Sequence, residues 1–391
     1  MRLKIKLLLD FYGGGLVHAL LKLPTILLGK ILRRDHDLSR CSDVTVLKML
    51  GGGSLAIAYP ALLALRNSDR IRRMRLLTSP AVRPFGEILG IFDEIIVVRD
   101  SSILAMAADC LGAIRKLFRC DAIVDLEIHS RLTTVFSLLT CAVNRIGFYT
   151  GMSFWRRGLS THLLFCNLSN GIYDSYDQVA ALFAAGSSDF RSCSAQFRAT
   201  LGLGPSPSPD PLHPRIGVTP CCSELSGERM LHPEEWVDVV GRSLPPGDSS
   251  QPVEVHLFGA PSDKAELEKL GALLAAAQPR LVPVNHAGKK LRESVILLDR
   301  LDRILCIDSA LLHFARLLGK PTVSFWGPTD PRVLLRPEPL AAESVHYAKL
   351  SCSPCVHLAA RPPCGGRNVC MRLAVNPQQH AERNPAWLLM P

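Results

Sequence analysis

The residues from Asp308 to Pro331 place an acid, a hydroxyl, a histidine and a Gly-Pro turn at spacings that predict chemistry on an anionic ligand. Asp308 and Ser309 follow an apolar run and precede apolar residues at helical spacing, so one of them is expected to cap a helix. The free N–H groups and partial positive charge of a helix N-terminus suit a diphosphate. A buried strand and a sharp turn at 327–331 follow. Because ligands of parallel sheets bind at the carboxyl ends of strands, this segment predicts a nucleotide site.

The same segment resembles glycosyltransferase family 9, the bacterial heptosyltransferase family, whose C-terminal domain carries D-[ST]-G-x-x-H followed by G-x-P-T and G-P-T-D-P. Asp308, Ser309, His313 and the run 327–331, which contains Thr329, match, while Ala310 replaces the family's glycine. The resemblance implies that these residues bind the nucleotide and phosphates of an activated sugar. The extra β-carbon of Ala310 implies an altered donor geometry. An ordinary strand-helix-strand crossover with a capped helix is the alternative.

A second set of donor-binding candidates follows the strand predicted at 215–219. Ser223 and Arg229 match the hydroxyl and the cation that the family places against the donor diphosphate, and Thr219 stands where the family has asparagine. A guanidinium can hold phosphate oxygens bidentately and stabilise a leaving nucleoside diphosphate without a metal. No cofactor is therefore expected for catalysis. A solvent-exposed loop arginine is the alternative.

Glycines at 51–53 come directly after a predicted strand and would let the backbone approach a ligand closely, while Ser54 could cap the next helix. By resemblance, Gly52, Gly53 and Ser54 belong to the acceptor-binding loop. Ser54 occupies the position of the family's aspartate, the expected general base for the acceptor hydroxyl. Because a serine cannot accept a proton at neutral pH without a partner, another base is needed.

Glu127 is the best substitute, since it lies just past a predicted strand of the same sheet and a carboxylate can accept a proton from a sugar hydroxyl. His129 is the second choice for the base. Arg131 matches a basic position of the family and could hold an acceptor phosphate. Alternatively, Asp125 and Glu127 cap the following helix, and Arg131 pairs with them.

Four cysteines occur near the C-terminus with a C-x-x-C start, namely Cys352, Cys355, Cys364 and Cys370. This spacing is compatible with a structural zinc site, although the second pair lacks the C-x-x-C spacing. An iron–sulfur cluster bound by the same four cysteines is a less favoured interpretation. A disulfide or free thiols are the alternative.

The chain has 391 residues and a formal net charge of +10, which predicts two domains and an anionic partner. Basic residues are dispersed among acids, so phosphorylated sugars and anionic lipid rank above nucleic acid, and no nucleic-acid partner is expected. Most of the 13 cysteines lie singly in apolar runs and no cleavable signal peptide is recognisable. This favours a reduced cytoplasmic protein.

Residues 1–34 are leucine-rich and carry seven basic residues against one acid, Asp10. Charges, Pro24 and the glycines 13–15 interrupt the apolar run, so no unbroken apolar span of about 20 residues exists. The pattern predicts two short amphipathic helices on the surface of an anionic membrane. A helical hairpin packed on its own domain is the alternative.

Short apolar runs alternate with helical stretches on both sides of the proline-rich segment 203–214. This alternation predicts two doubly wound, Rossmann-like α/β domains with parallel sheets facing a cleft. The resemblance implies that they form the GT-B architecture of glycosyltransferases. The predicted strands lie near 44–49, 75–77, 95–98, 122–126, 145–148, 215–219, 253–259, 304–307 and 322–326. The predicted organisation is a membrane-surface segment (1–36), an acceptor domain (37–202), a linker (203–214), a nucleotide-sugar domain (215–350) and a cysteine-containing segment (351–391).

Taken with the resemblance, these features imply an inverting, metal-independent glycosyltransferase peripheral to the inner face of the cytoplasmic membrane. Its donor would be a nucleoside-diphosphate sugar, by family default ADP-heptose. Its acceptor would be a lipopolysaccharide or another cell-surface glycolipid or polysaccharide precursor. Two alternatives stay open: a nucleotide-sugar epimerase on the same scaffold, and a non-catalytic partner that binds nucleotide sugar.

Overall fold

The computed structural model describes residues 3–210, 213–222, 227–244, 251–356, 358–359 and 361–376. The chain forms two compact units, Met1–Cys193 and Ser194–Pro391. Each unit contains one six-stranded sheet in which all neighbouring strands are parallel.

The sheet of unit 1 has the order β3-β2-β1-β4-β5-β6. Its strands are β1 Asp43–Lys48, β2 Arg73–Thr78, β3 Glu94–Val97, β4 Ala122–Asp125, β5 Asn144–Tyr149 and β6 His162–Phe165. Its helices are α1 Leu3–Leu8, α2 Gly15–Leu32, α3 Gly53–Arg66, α4 Arg83–Leu89, α5 Ile103–Lys116, α6 Arg131–Leu139 and α7 Ile172–Leu182.

Unit 2 repeats this topology, with the order β12-β11-β10-β7-β8-β9. Its strands are β7 Arg215–Thr219, β8 Val253–Leu257, β9 Leu281–Asn285, β10 Arg303–Ile307, β11 Thr322–Trp326 and β12 Glu343–Tyr347. Helix α8, Phe190–Leu201, crosses the boundary and is followed by α9 Pro233–Arg242, α10 Lys264–Ala277, α11 Leu291–Asp299, α12 Ala310–Leu317, α13 Pro331–Leu334 and α14 Val369–Val375.

The predicted pair of doubly wound, Rossmann-like domains is therefore confirmed. In each unit the strand order reverses beside the first strand, at β1/β4 in unit 1 and at β7/β10 in unit 2. Crevices at such topological switch points, at the carboxyl ends of the strands, are where open α/β sheets bind ligands. The fold thus indicates one candidate ligand site in each unit.

The boundary between the units falls about ten residues before the predicted linker, because most of α8 packs on unit 2. Arg198 of α8 donates to the buried Asp299 at 2.6 Å, and Phe197 stacks on Phe314 with ring centroids 5.6 Å apart. Residues 203–210 contain no helix or strand, as predicted for a linker, and residues 211–212 lie outside the described part. The predicted separate C-terminal segment instead contributes α14 to the core of unit 2, where Met371 is fully buried.

The prediction of two short N-terminal helices is wrong, since α1, a π-helical turn at Leu9–Gly14 and α2 form one continuous helix. Its segment Ile5–Leu32 is long and apolar enough to cross a membrane by length and composition, although charged residues interrupt the apolar run. Gly14 and Gly15 adopt right-handed helical angles rather than breaking the helix. Gly14 is needed for close packing, because a β-carbon there would lie 2.9 Å from the Cβ of Arg131.

Candidate functional site

The switch point of unit 2 brings together the donor-binding residues predicted from two separate parts of the sequence. Arg229 lies in a short 3₁₀ turn after β7, and Asp308 directly follows β10. The Arg229 Nη1 donates to the Asp308 Oδ2 and to its backbone carbonyl oxygen, both at 3.0 Å. The Nε2 atom of His313, on the first turn of α12, lies 3.8 Å from the Asp308 Oδ1.

Asp308 is almost fully buried, with 5% of its side chain exposed, yet it is held as a carboxylate. Burial by itself would raise the pKa of Asp308. The interaction with His313 and the charge of Arg229 outweigh burial and lower this pKa. The cluster therefore keeps a fixed negative charge that orients the Arg229 guanidinium and the His313 imidazole.

The N-terminus of α12 borders this cluster. Ser309 occupies the predicted cap position of α12 with the extended backbone of a cap residue, but its side chain makes no capping hydrogen bond. Its buried Oγ has no hydrogen-bond partner in the part of the chain that the structure describes. The Ser309 hydroxyl and the first N–H groups of α12, which starts at Ala310, are thus placed to bind an anionic group.

Ser223 lies outside the described residues. Its neighbour Cys222 is close enough to Arg229 and Asp308 for their charges to act on its thiol, although burial is the main cause of the raised pKa of Cys222. Sequence reasoning missed Cys222, and the only signal for it was its position directly before Ser223.

The G-P-T-D-P loop after β11 packs on the cysteine-containing segment. A β-carbon at Gly327 would lie 2.5 Å from the Cys370 Sγ, so only glycine fits there. The N–H of Cys355 donates to the carbonyl of Pro328 at 3.1 Å. Thr329 and Asp330 are buried, and Asp330 caps α13. The cysteine-containing segment thus fixes the loop that carries Thr329.

The four cysteines lie within electrostatic range of one another. Burial, reinforced by Cys355, Cys364 and Cys352, raises the pKa of Cys370 to about 12. Among the described residues, however, no group of three or more His, Cys, Asp or Glu side chains is arranged to hold a metal ion. The residues do not fit a zinc site in this arrangement, and zinc stays a prediction.

In unit 1, the first loop follows β1 at the other switch point. Gly51 has a φ of +67°, and a β-carbon on Gly52 would lie 2.2 Å from the Phe85 ring, so both positions require glycine. Gly52, rather than Ser54, occupies the cap position of α3, which begins at Gly53. The expected cap role of Ser54 is therefore wrong, because its Oγ donates back to the Gly51 carbonyl at 2.5 Å.

Glu127 reaches into this first loop from the neighbouring strand β4. Its Oε1 accepts the N–H groups of Met49 and Leu50, both at 2.8 Å, and lies 3.3 Å from the Lys48 Nζ. Its Oε2 accepts no hydrogen bond from the residues that the structure describes. The first loop therefore fixes one oxygen of the Glu127 carboxylate, and the role of Glu127 as the base stays a prediction.

Asp125 and Arg156 hold the loop that carries Glu127 in place by hydrogen bonds and an ion pair. Asp125 accepts the N–H of Glu127 at 3.0 Å and lies 3.3 Å from the fully buried Arg156. Burial raises the pKa of Asp125 to about 6 even though the charge of Arg156 opposes this shift. Arg156 also donates to the carbonyls of Glu127 and Ser130. Sequence reasoning missed Arg156, since nothing in its local pattern indicates a contact about 30 residues away.

The two remaining candidates of unit 1 lie on or next to this loop. His129 is exposed. Arg131 opens α6, donates to the Phe11 carbonyl at 2.8 Å, and places its guanidinium 4.4 Å from the Phe11 ring and 5.6 Å from that of Trp155. Arg131 thus contacts the N-terminal helix, and α6 is capped by Ser130 and Asp10 instead of by Asp125 and Glu127.

Comparison with known proteins locates a family match on unit 2. Residues 220–363 match the sequence profile of glycosyltransferase family 9 (heptosyltransferase). Lipooligosaccharide heptosyltransferase 2 of Haemophilus influenzae is 34% identical over 87 residues, which are 21% of this chain and 24% of that protein. The match thus spans about a quarter of the length of this curated relative.

Solved structures extend the likeness in fold to both units. The E. coli ADP-heptose LPS heptosyltransferase II is 16% identical, with a TM-score of 0.57 over 86% of this chain and 99% of that chain. The E. coli heptosyltransferase WaaC with ADP is 14% identical, with a TM-score of 0.58 over 87% of this chain and 99% of that chain. These structures share the GT-B architecture predicted from the sequence, and the sequence match itself covers Arg229, Asp308 and His313.

Proposed function

We propose, because residues 220–363 match the family model of glycosyltransferase family 9, that this protein moves a sugar from a nucleoside diphosphate to a cell-surface glycolipid or polysaccharide precursor. The observation that carries the proposal is the buried cluster of Arg229, Asp308 and His313 beside the open N-terminus of α12. A cation and free N–H groups at a switch point are what a diphosphate needs.

The donor is proposed to be ADP-heptose and the acceptor a lipopolysaccharide core precursor. The curated relative is named a lipooligosaccharide heptosyltransferase and one structural neighbour an ADP-heptose LPS heptosyltransferase, which supports this choice. The site of action would be the inner face of the cytoplasmic membrane. The apolar N-terminal helix supports this placement.

The reaction is proposed to be a single displacement that inverts the anomeric carbon. The acceptor hydroxyl would attack that carbon, the bond to the diphosphate would break, and the bonding electrons would leave with the nucleoside diphosphate. Arg229 and the N–H groups of α12 would stabilise the charge that develops on the leaving group, so the transfer would need no metal.

The proton of the acceptor hydroxyl is proposed to pass to Glu127. Its Oε2 is available, while the contacts of Oε1 with the first loop hold the carboxylate in one orientation. Such a base contributes a rate factor of about 10²–10⁴. His129, exposed two residues further on, is the second candidate.

A second candidate function is a non-catalytic nucleotide-sugar-binding partner. The observation that favours it is the serine at position 54, which donates to the Gly51 carbonyl and supplies no base in the first loop. In that case the donor cluster would bind ligand without turnover.

Donor binding and turnover test the two functions separately. Thermal shift over a panel of nucleotide sugars should give the largest stabilisation with ADP-heptose. Release of nucleoside diphosphate from that donor should then require a lipid extract containing truncated lipopolysaccharide. Binding without release in any extract would support the non-catalytic partner, whereas sugar isomerisation without acceptor would support an epimerase.

A matched pair of variants places the activity at the proposed site. His313→Ala should weaken donor stabilisation and lower transfer. Asp302→Ala removes an acid at the opposite end of β10, where Asp302 accepts the N–H of Arg215, and should leave donor binding unchanged. Equal effects of both substitutions on donor binding would contradict the assignment of the site.

A further inference from the structure

The N-terminal helix contacts unit 1 along most of its length. Its body-facing row consists of every fourth residue: Lys6, Asp10, Gly14, His18, Lys22 and Ile26. Lys6 pairs with Asp100 at the start of the row. At its end, Ile26 packs on Gly158, where a β-carbon would lie 2.9 Å from the Ile26 Cδ1. The π-helical turn within the row has more than four residues per turn, which helps to keep these positions on one side.

The strongest contact of the row is made by Asp10. Its carboxylate accepts the Ser130 hydroxyl at 2.6 Å and the N–H groups of Arg131 and Leu132 at 3.1 and 2.9 Å. Further along, His18 and Lys22 both contact the carbonyl oxygen of Trp155, at 2.9 and 3.2 Å. The N-terminal helix is therefore fastened to unit 1 by polar contacts at several places along its axis.

These contacts are incompatible with a helix that crosses a membrane. The row from Lys6 to Ile26 covers roughly 30 Å at about 1.5 Å per residue. That length is about equal to the hydrocarbon thickness of a bilayer. If the helix crossed, the part of unit 1 fastened to it would have to enter the hydrocarbon with its polar groups, at a high cost in desolvation.

Apolar side chains occupy the part of the helix that unit 1 leaves uncovered. The lipid-facing row consists of Leu16, Leu20, Leu23, Leu27 and Ile31, at spacings of three and four residues, and all five are more than half exposed. Such a continuous apolar stripe in water is unfavourable and indicates a partner. The length and composition of the helix do not distinguish a helix that spans a membrane from one that lies in its interface. The contacts of the body-facing row with unit 1 make this distinction.

Unit 1 itself adds exposed apolar residues close to the points where the helix is fastened. Ile103 and Leu104 follow Asp100 by three and four residues, and Leu104 is 84% exposed. Met152 and Phe154 precede Trp155 and are also exposed. Basic residues Lys30, Arg33 and Arg34 are exposed at the C-terminal end of the helix. Apolar tips and basic residues together fit the interface of a leaflet with anionic headgroups.

We propose that the N-terminal helix lies in the plane of the membrane, with the lipid-facing row inserted into one leaflet of an anionic bilayer and unit 1 fastened beneath it. The inference concerns attachment and stands whichever sugar is transferred. Asp10 has a second role in this arrangement. Because Asp10 caps α6, it connects the lipid-bound helix to the loop that carries Glu127.

Vesicle flotation tests whether the lipid-facing row binds an anionic bilayer. The full chain should float with vesicles of phosphatidylglycerol and phosphatidylcholine and bind less to phosphatidylcholine alone, with binding to the anionic vesicles weakened by salt. Leu20→Asp/Leu23→Asp should reduce the bound fraction about tenfold or more. Leu358→Asp, which places one aspartate at an exposed leucine of unit 2, is the control and should bind normally, and each single variant, Leu20→Asp and Leu23→Asp, is compared with it at equal charge. A double variant that floats normally would overturn the proposal, as would a vesicle-independent dimer that the same two aspartates dissociate.

Depth-dependent fluorescence quenching tests the orientation of the helix. Single tryptophans at Leu16, Leu23 and Ile31 are exposed to lipids brominated at known depths, and the signal of the four native tryptophans is subtracted. An in-plane helix predicts the same shallow depth for all three positions. A crossing helix predicts a deep tryptophan at position 16 and a shallow one at position 31, since about 22 Å of helix separates them. The second result would overturn the proposal, and thermal melts of each variant verify that unit 1 remains folded.

Discussion

Replacing Arg229 by alanine is the perturbation that probes the proposed donor site most directly. The guanidinium makes two contacts of 3.0 Å with Asp308, and 15% of its side chain is exposed. With Arg229 removed, a bound diphosphate loses a charged hydrogen bond, about 1.5–3 kcal/mol. The carboxylate of Asp308 also stays behind and repels the phosphates. At about 1.4 kcal/mol per tenfold change, the Kd for ADP should rise about 10- to 150-fold.

The same substitution should lower stability, because it breaks a largely buried ion pair. The loss is about 3 kcal/mol, at the lower end of the range for buried pairs. For a unit of this size that corresponds to a fall in Tm of roughly 6–12 °C. The charge of Arg229 also helps to lower the pKa of Asp308. A carboxyl with a lowered pKa stabilises the fold above its unfolded-state pKa, and this stability is lost as pH falls through the folded-state value. The variant should therefore lose less stability on acidification than the wild type.

Isothermal titration with ADP and thermal melts measure both effects. The control is Arg215→Ala, which removes an arginine paired with Asp302 at 3.5 Å at the opposite end of the unit 2 sheet. It should lower Tm modestly and leave the Kd for ADP unchanged. If Arg229→Ala lowers Tm as expected but its Kd for ADP stays within about twofold of the wild type, Arg229 serves the fold alone and the reasoning fails.

Four further outcomes are expected. Glu127→Gln keeps an acceptor for the N–H groups of Met49 and Leu50 but removes the base, so transfer in a radiolabelled acceptor assay should fall about 10²–10⁴-fold with donor affinity unchanged. Ser54→Ala should stay active. If Ser54→Ala is inactive and Glu127→Gln is near normal, the first loop and not Glu127 supplies the base. Asp10→Ala should lower the free energy of unfolding, measured in urea, by about 1–2 kcal/mol because α6 loses its cap. The control Asp35→Ala, at an exposed acid, should lower it little, and equal losses for the two variants would contradict the capping role of Asp10. Burial and the charge of His256 lower the pKa of His286 to about 4, so its contribution to stability should be lost as pH falls from 6.5 towards 4, and His286→Gln should flatten that part of the stability curve. Transfer should survive treatment with EDTA, because Arg229 and the N–H groups of α12 are proposed to stabilise the leaving group, and abolition by EDTA with rescue by Mg²⁺ would refute the metal-independent mechanism.

The sequence by itself determined the central strands and the donor segment. β7 and β11 begin and end at the predicted residues, and β1, β4 and β10 differ from prediction by a residue or two at an end. These strands are covered on both faces, so they are continuous apolar runs bounded by turn residues. The donor motif was equally visible because its strand end, helix start and turn are contiguous in the chain.

Three strands at sheet edges were not predicted: β6, β9 and β12. Most residues of β12 are exposed, and only Leu281 of β9 is buried. An edge strand packs against fewer neighbours, and in β12 polar residues accordingly replace the apolar run that marks a strand. In β9 the apolar run is interrupted by Pro283, a residue that sheets tolerate at their edges.

Only the tertiary structure decided what the acidic side chains and the N-terminal helix do. The reach of Glu127 into the first loop and the support from Arg156 are contacts between residues about 30 to 80 positions apart. The glycines of the N-terminal helix looked like breaks because the sequence cannot reveal that Arg131 and Leu132 pack directly against Gly14. Local patterns record what a residue does for its own helix or strand, whereas the roles of Asp10, Glu127 and Arg156 arise from neighbours that only folding brings together.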